Sequence, residues 1–159
     1  MLLDDPYVFP IFNLQVSIKM SNWKQENFVI STDKEKLDID VIYTFLSNSY
    51  WASTRSLEQI VESIKNSFCF AVYDINKQVG FARVVTDYST FAYLADVFIL
   101  HSHQGRGLGK RLIDAIFITQ ELKKIDTWIL LTNDAQKLYH RTGFIEYPYP
   151  ERVMIKKLT

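Results

Sequence analysis

The glycine segment HQGRGLGKRL, from His103 to Leu112, combines closely spaced glycines with cationic side chains. Three of the five glycines in the chain alternate here, at Gly105, Gly107 and Gly109. Glycine has no Cβ atom, so a backbone rich in it can come close to a ligand. An apolar stretch typical of a strand precedes the segment and a helical pattern follows it, and N–H groups at a helix N-terminus bind anions. The segment therefore predicts a site for a phosphate or a pyrophosphate.

Two well-known phosphate-binding loops do not fit these residues. A Walker A loop requires a glycine where this chain has Gln104, and a hydroxyl residue where it has Arg111. The dinucleotide fingerprint G-x-G-x-x-G would need its third glycine at Lys110. It also opens a series of parallel strand–helix units, whereas this segment follows an antiparallel pattern. Neither a Walker-type nucleotide nor a dinucleotide is indicated.

The elements that must position this segment follow from hydrophobic periodicity. Apolar runs predict strands at 27–32, 69–74, 79–87, 91–100, 127–133 and 152–158. Helical spacing predicts helices at 37–51, 56–67, 109–122 and 134–144, and Ser56 with Gln59 forms a capping-box pattern. The 91–100 strand is nearly all apolar and is therefore expected at the centre of the sheet. One α/β domain is predicted, with an antiparallel meander first and strand–helix units later.

Composition limits the class of protein. A chain of 159 residues with 48% hydrophobic residues has the size and core of one domain. Lys and Arg number 18 and Asp and Glu number 18, so no net basic field favours nucleic acid. The one cysteine, Cys69, cannot form an internal disulfide and favours a cytoplasmic protein. No apolar run reaches the roughly 18 residues of a membrane span.

Residues 1–19 contain two prolines and follow neither a strand nor a helix period. They lack the basic start and the cleavage site of a signal peptide. Met20 follows them. The functional domain is therefore expected over residues 20–159, with residues 1–19 either an ordered arm or an extension ahead of a start at Met20.

The segment from Gln104 to Gly109 matches the pattern Gln/Arg-x-x-Gly-x-Gly/Ala, and NDAQKLYHRTGF further on contains Asn133, Tyr139 and Gly143-Phe144. With the apolar strand before them, these runs resemble the signatures of the GNAT superfamily of acetyl-CoA-dependent acyltransferases. The resemblance is close over residues 93–144, and the element order fits from residue 27 onward. It implies a mixed, mostly antiparallel sheet of about six or seven strands, splayed at the central strand, with helices on both faces.

The resemblance implies acetyl-CoA as co-substrate, without a metal, and direct attack of the acceptor on the thioester. The pantetheine arm would pair with the central strand, and the pyrophosphate would bind the glycine segment. Asn133 would bind the pantetheine or an ordered water. The implied cofactor-binding residues are Val97, Phe98, Ile99, Gln104, Gly105, Arg106, Gly107, Leu108, Gly109, Lys110 and Asn133.

The implied reaction needs two proton transfers. The departing thiolate must gain a proton, and Tyr139 stands where the family usually places that acid. The amine must lose a proton, and Asp96, the carboxylate of the apolar central strand, is a candidate base because desolvation would raise its pKa. Strand alternation places Asp96 on the face opposite Ala95 and Val97, so a water relay is an equal alternative.

The resemblance places the acceptor site between the first two helices, their loop and the gap at the central strand. Tyr50 and Trp51 in that loop offer aromatic faces that attract a cation. Arg55 suits a carboxylate, and Tyr88 is expected at the same mouth. A small, partly apolar amine is the expected partner. The alternative is that Tyr50 and Trp51 only plug the core.

Cys69 has no His or Asp beside it in the sequence and is expected to be a buried structural thiol. His101 and His103 lack a third ligand nearby and are expected to be loop residues rather than a metal pair. The functional alternatives are a non-catalytic acetyl-CoA sensor and an acetyltransferase for protein lysines or N-termini. No acidic cluster marks a peptide groove, which favours the small acceptor. Dimers are common in the family, so a homodimer stays open, and no nucleic-acid or membrane partner is expected.

Overall fold

The computed structural model describes residues 17–18 and 28–157. Its strands form one sheet in chain order, with every neighbouring pair antiparallel except the last pair, which is parallel. The strands are β1 (Ser17–Ile18), β2 (Phe28–Ser31), β3 (Phe68–Asp74), β4 (Lys77–Thr86), β5 (Phe91–Ile99) and β6 (Thr127–Ile129). The mixed, mostly antiparallel arrangement agrees with the predicted α/β fold.

The helices are α1 (Ile39–Ser47), α2 (Leu57–Lys65), α3 (Leu108–Ile118) and α4 (Gln136–His140). Asp38 caps α1 by accepting a hydrogen bond from the Val41 N–H group. The predicted capping box is present at the start of α2, where the side chains of Ser56 and Gln59 bond each other's backbone. Gly107 in the left-handed conformation precedes α3. Within the described part of the chain, no helix is long and apolar enough to cross a membrane.

The sheet is covered on both faces. Cys69 and Phe81 belong to one apolar cluster with α1 and α2, while the adjacent residues Phe70 and Ala82 belong to a second cluster with α3. Successive residues of a strand point to opposite faces, so these two clusters lie on opposite sides of the sheet. The helices therefore form layers on both faces, as the resemblance implies.

The sheet opens between its last two strands. Only Phe91–Tyr93 of β5 pair with Thr127–Ile129 of β6, although β5 continues to Ile99. A register irregularity in the β4–β5 pairing lies opposite Asp96, whose φ angle of 53° is left-handed. A left-handed residue within a strand marks a bulge and bends the strand locally. The bulge and the short ladder together produce the expected splay at the central strand.

Two expectations about the sheet are wrong. Residues 152–158 were expected to be a closing strand, but Pro150–Arg152 form a short 3-10 helix and residues 153–157 have no regular structure. Among the described residues, five strands have three or more residues, whereas β1 has only two. The expected six or seven full strands are therefore not found. Val153, Met154 and Ile155 are exposed, and an apolar run does not form a strand without a paired neighbour.

The predicted boundary at residue 20 falls mostly outside the described residues. Ser17 and Ile18 lie in the predicted extension and pair with Ser31 and Ile30 of β2. The status of residues 1–19, as an ordered arm or as an extension ahead of Met20, stays a prediction. The rest of residues 1–19 and the beginning of the expected domain, up to residue 27, lie outside the part of the chain that the structure describes.

A first prediction concerns Gly80, which lies where β4 and β5 pack most closely. A Cβ atom there would come within 2.5 Å of Ile99 Cδ1 and 3.0 Å of the Phe98 carbonyl oxygen. We expect Gly80→Ala to lower the free energy of unfolding by about 1–3 kcal/mol in urea titrations. Gly109→Ala is the matched control, because its Cβ atom would meet nothing closer than 3.9 Å and should leave that free energy unchanged or higher. Equal effects of the two variants would contradict the packing argument.

Candidate active site

The splay between β5 and β6 opens into a cleft of about 1090 Å³. Three parts of the chain line this cleft: the end of β5 with the glycine segment, α4 with the residues before it, and α1 with residues 48–51. Because β5 has no ladder partner on this side beyond Tyr93 among the described residues, its backbone groups near Val97 are available to a ligand. The geometry thus places an open strand edge beside the start of a helix.

The glycine segment presents backbone rather than side chains to the cleft. Gly105 and Gly107 have φ angles of 77° and 75°, which a residue with a Cβ atom rarely adopts. The helix α3 begins at Leu108, and its first intrahelical hydrogen bond runs from the Arg111 N–H group to the Gly107 carbonyl. The N–H groups at positions 108–110 therefore have no acceptor within the helix and can bind an anion.

Gly109 gives an independent indication of a ligand. Its φ angle is not left-handed, and a Cβ atom there would make only ordinary contacts with Leu138 and Ile99. Neither backbone strain nor crowding by the protein explains the glycine, and the residue lines the cleft. A ligand that comes close to the backbone of α3 does explain it. These residues therefore fit the phosphate or pyrophosphate that the sequence predicts here.

The polar residues around the glycines have separate roles. Lys110 lines the cleft in the first turn of α3 and can add a positive charge there. Gln104 also lines the cleft, but its side-chain amide donates to the Ile99 carbonyl at 3.0 Å and fixes the segment to the end of β5. The Arg106 guanidinium lies 5.4 Å from the centre of the Phe28 ring and is not part of the cleft lining.

Tyr139 of α4 lies in the lining with 7% of its surface exposed. Burial raises the pKa of its phenol to about 12, and the nearby Tyr50 and Asp134 act in the same direction. The phenol is therefore protonated at neutral pH and holds a proton that it can donate. Its ring packs edge-on against Phe144, and the predicted left-handed stop is present at Gly143, with a φ angle of 93°.

Asp96 does not line the cleft, and the structure does not support the predicted base role. Oδ1 accepts hydrogen bonds from the Trp51 indole at 3.3 Å and from Arg55 Nη1 at 2.8 Å. Oδ2 accepts from the same Arg55 nitrogen at 2.9 Å and from Arg83 Nε. A carboxylate offers about four acceptor positions, so these four bonds leave none for an incoming proton.

The face on which Asp96 lies agrees with the expectation only in part. Ala92 and Leu94 before it and Ile99 after it belong to the cluster beneath α3, although an unbroken strand would place Leu94 and Ile99 on opposite faces. The bulge at Asp96 shifts the alternation by one residue. Its carboxylate meets Arg83 on the side of α1 and α2, opposite Val97, which packs against the cluster beneath α3. Ala95 pairs with Arg83 and therefore lies on the same side as Asp96, not on the opposite face.

The α1 side of the cleft has an aromatic wall that consists of Phe45, Tyr50, Trp51 and Phe98. The Phe45 and Phe98 rings stack at 4.0 Å between centroids with an interplanar angle of 9°, and Tyr50 packs edge-on against Trp51 at 4.9 Å. The sequence indicated Tyr50 and Trp51 but treated Phe45 as a core residue of the helix. Phe45 lies about one helical turn before Tyr50 and Trp51, and this spacing could have indicated that the three rings belong to one surface.

Asp38 and Asp40 at the start of α1 also line the cleft, and sequence analysis did not assign them to the site. Asp38 is occupied in part as the cap of α1. Asp40 lies in the first turn and is exposed. Both carboxylates favour a positively charged ligand at this end of the cleft.

The remaining candidates lie outside the lining. Arg55 is bonded to Asp96, so its predicted role in binding an acceptor carboxylate is not supported. Tyr88 is in the turn before β5, at the opposite end of the strand from the cleft. Asn133 is exposed, and its backbone N–H group donates to the Tyr50 hydroxyl at 3.1 Å.

Cys69 and His103 make structural contacts, and His101 and His103 both lie in the cleft lining. Cys69 is buried, and desolvation raises the pKa of its thiol to about 11, so it is not a reactive thiolate at neutral pH. His103 Nε2 lies 3.3 Å from Asp74, and its Nδ1 lies 2.8 Å from Ser102. A search of the described residues finds no group of three metal-ligating side chains.

Similarity to known proteins shows which protein family has this fold and cleft. The profile of the acetyltransferase (GNAT) domain matches residues 65–146, which is more than half of the chain. A solved structure from Xanthomonas campestris assigned to the GNAT family is 40% identical with a TM-score of 0.79, and the match covers 82% of this chain and 93% of that one.

Two curated relatives are also similar in sequence. A Gibberella zeae protein assigned to the acetyltransferases is 30% identical over 154 aligned positions, and the match covers 81% of this chain and 85% of that protein. The soybean (Glycine max) histone acetyltransferase TAP1 is 31% identical over 104 aligned positions, and that match covers 57% of this chain and 45% of that protein. The chain therefore belongs to the GNAT superfamily of acetyltransferases, whose members generally use acetyl-CoA as co-substrate.

A second prediction follows from the raised pKa of Tyr139. Its phenol ionises near pH 12 in the folded protein but near about pH 10 in the unfolded chain. The unfolded state therefore loses its proton first as the pH rises, and this contribution to stability, complete below pH 10, is lost between pH 10 and 12. From about pH 9 to pH 11, wild type should lose about 1 kcal/mol more unfolding free energy than Tyr139→Phe. Urea titrations at both pH values check this, and equal losses would contradict the burial of the phenol.

Proposed function

We propose that this protein transfers an acetyl group from acetyl-CoA to the primary amine of a small molecule within a ternary complex. One observation carries the proposal: a single cleft is lined both by the glycine-rich start of α3 and by the buried phenol of Tyr139. The first element suits the pyrophosphate of the donor, and the second suits proton donation to a leaving thiolate. Family membership supports acetyl transfer as the reaction.

The binding roles follow the lining of the cleft. The N–H groups at positions 108–110 and Lys110 would hold the pyrophosphate, and the free edge of β5 at Val97–Ile99 would hold the pantetheine arm. The thioester supplies the activated acetyl group. The aromatic wall lies on the other side of the cleft, and its ring faces with the carboxylates of Asp38 and Asp40 would attract an ammonium group.

Two proton transfers complete the reaction. The Tyr139 phenol is held neutral by burial and would give its proton to the departing sulfur. The acceptor ammonium must first lose a proton, and Asp96 has no acceptor position left for it. A water relay out of the cleft is therefore the proposed route. No side chain of the central strand is proposed as the base.

A protein acceptor is the second candidate. The soybean relative is named a histone acetyltransferase, although this chain covers less than half of it. Asp38 and Asp40 at the cleft would also attract a lysine side chain. A peptide substrate therefore belongs in the acceptor panel beside small amines. An acetyl-CoA sensor would bind the thioester without releasing thiol, so the same assay separates the three functions.

A third prediction tests the enzyme and the acid together. Thiol release from acetyl-CoA is measured against amines, amino acids and a lysine peptide, with wild type and Tyr139→Phe. We expect one acceptor class to drive release, and kcat of the variant to fall by about 100-fold or more, with acetyl-CoA binding unchanged in calorimetry.

Tyr73→Phe is the matched control, because that phenol also has its pKa raised to about 12 but bonds the Lys36 carbonyl and does not line the cleft. It should retain kcat. Acetyl-CoA binding with no thiol release for any acceptor would instead favour the sensor. Absence of acetyl-CoA binding would contradict the proposal.

A fourth prediction tests the pyrophosphate site. Lys110→Gln removes one positive charge beside the free N–H groups and should raise the Kd for acetyl-CoA by about tenfold at low salt, and by less at high salt. Lys123→Gln, an exposed residue beyond α3, is the control and should bind normally. Calorimetry at two ionic strengths makes the comparison. A normal Kd for Lys110→Gln at low salt would place the pyrophosphate elsewhere.

A further inference from the structure

The loop between α1 and α2 (residues 48–56) contacts both sides of the splay. On the β5 side, Trp51 and Arg55 bond the carboxylate of Asp96. On the β6 side, the Tyr50 hydroxyl accepts a hydrogen bond from the Asn133 N–H group, in the connection between β6 and α4. The loop is thus joined to β5 and to the connection that follows β6, on the two sides of the gap where these strands no longer pair.

The contact with Asp96 is the more constrained of the two. The Asp96 side chain is 2% exposed, and Arg83 beside it is 9% exposed. Arg83 also bonds the Ser67 hydroxyl at 3.2 Å, at the end of α2. A buried charge must be satisfied by protein groups, so Asp96 depends most on Arg83, the more buried of its two arginines. The position of Arg55 is therefore determined by the sheet.

The bulge is what directs the Asp96 carboxylate toward the loop. With unbroken alternation, position 96 would share a face with Ala92 and Leu94, which lie in the cluster beneath α3. The left-handed φ angle of 53° instead brings the carboxylate to Arg83, Arg55 and Trp51. A strained conformation at a non-glycine residue persists where surrounding contacts hold it, and it often marks a functional position.

We propose that Asp96 is a positioning residue that fixes the acceptor side of the cleft. Through Arg55 and the Trp51 indole it holds the loop so that Tyr50 and Trp51 face the open edge of β5. This inference rests on the proposed function for the identity of the acceptor side, but the anchoring itself is independent of it. An acceptor that fits this wall would bind through its ammonium group and its apolar atoms. Arg55 would not bind an acceptor carboxylate, since it is bonded to Asp96 and does not line the cleft.

The test uses Arg55→Gln, because Arg55 is the more exposed arginine and its removal leaves Asp96 paired with Arg83. We expect the KM for the acceptor to rise by about tenfold, with kcat and the Kd for acetyl-CoA within about twofold of wild type. Arg55→Lys keeps the positive charge and should recover part of the acceptor affinity. Arg152→Gln, an exposed arginine packed on Tyr149, is the matched control and should behave as wild type.

The pH profile separates positioning from proton abstraction. If Asp96 were the base, removing a neighbouring cation would displace the acid limb of the kcat profile. A positioning residue leaves that limb in place. An acid limb displaced in Arg55→Gln, or a fall in kcat with an unchanged acceptor KM, would overturn the inference.

A second measurement does not depend on activity. The chain has three tryptophans, and the Trp51 indole N–H resonance is identified by its loss in Trp51→Phe. We expect this N–H to exchange slowly with solvent in wild type and at least about tenfold faster in Arg55→Gln, because the loop is released from Asp96. Unchanged exchange would overturn the anchoring.

The two proposals fail in different ways. If wild type neither binds acetyl-CoA nor releases thiol, the proposed function falls, and the indole exchange still reports whether Asp96 holds the loop. If wild type is active but neither the acceptor KM nor the indole exchange responds to Arg55→Gln, the positioning role falls while the proposed function stands.

Discussion

The divergence of β5 from β6 is the constraint on which the site depends. The two strands share only three residue pairs, and beyond Tyr93 the backbone of β5 has no ladder partner among the described residues. Backbone groups in a protein interior must find hydrogen-bond partners, so a strand edge of this kind suits an extended polar ligand. The glycine segment continues directly from the end of β5, α4 follows β6, and α1 covers the opening. The cleft therefore forms where β5 and β6 stop pairing.

The bulge at Asp96 connects that opening to the rest of the core. It changes which face the carboxylate occupies, and so it allows one buried anion to bind two arginines and an indole that come from separate parts of the chain. Several bonds from different elements hold this carboxylate in one position. The same bonds occupy the acceptor positions of Asp96 and keep Arg55 out of the cleft lining. The α1 side of the cleft is lined instead by aromatic rings and by the carboxylates of Asp38 and Asp40.

The glycines show how similar residues can serve different physical purposes. Gly80 allows close packing of two strands, while Gly105 and Gly107 supply left-handed turns before α3. Gly109 meets neither need, which makes it the glycine that points most directly to a bound ligand. Across the cleft, burial keeps the Tyr139 phenol neutral far above physiological pH. The glycine-rich start of α3 and the buried phenol thus line one cleft, and this combination is the basis of the proposed acetyl transfer.

Local signals in the sequence predicted much of the secondary structure and the family motifs of this protein. The capping box at Ser56, the left-handed stop at Gly143, the strand periods and the two GNAT motifs depend on residues close together in the chain, so they could be read without the fold. The cluster around Asp96 could not, because Arg55 and Arg83 lie 41 and 13 residues away and a bulge changes the alternation that sequence reasoning assumes. The apolar run at 153–157 failed as a strand for a similar reason, since pairing requires a neighbour that the run itself does not specify. The sequence by itself determined the family, the glycine-rich start of α3 and the position of Tyr139 in the second motif. Only the tertiary structure decided which carboxylates and aromatic rings line the cleft, because contacts between distant residues set those side-chain directions.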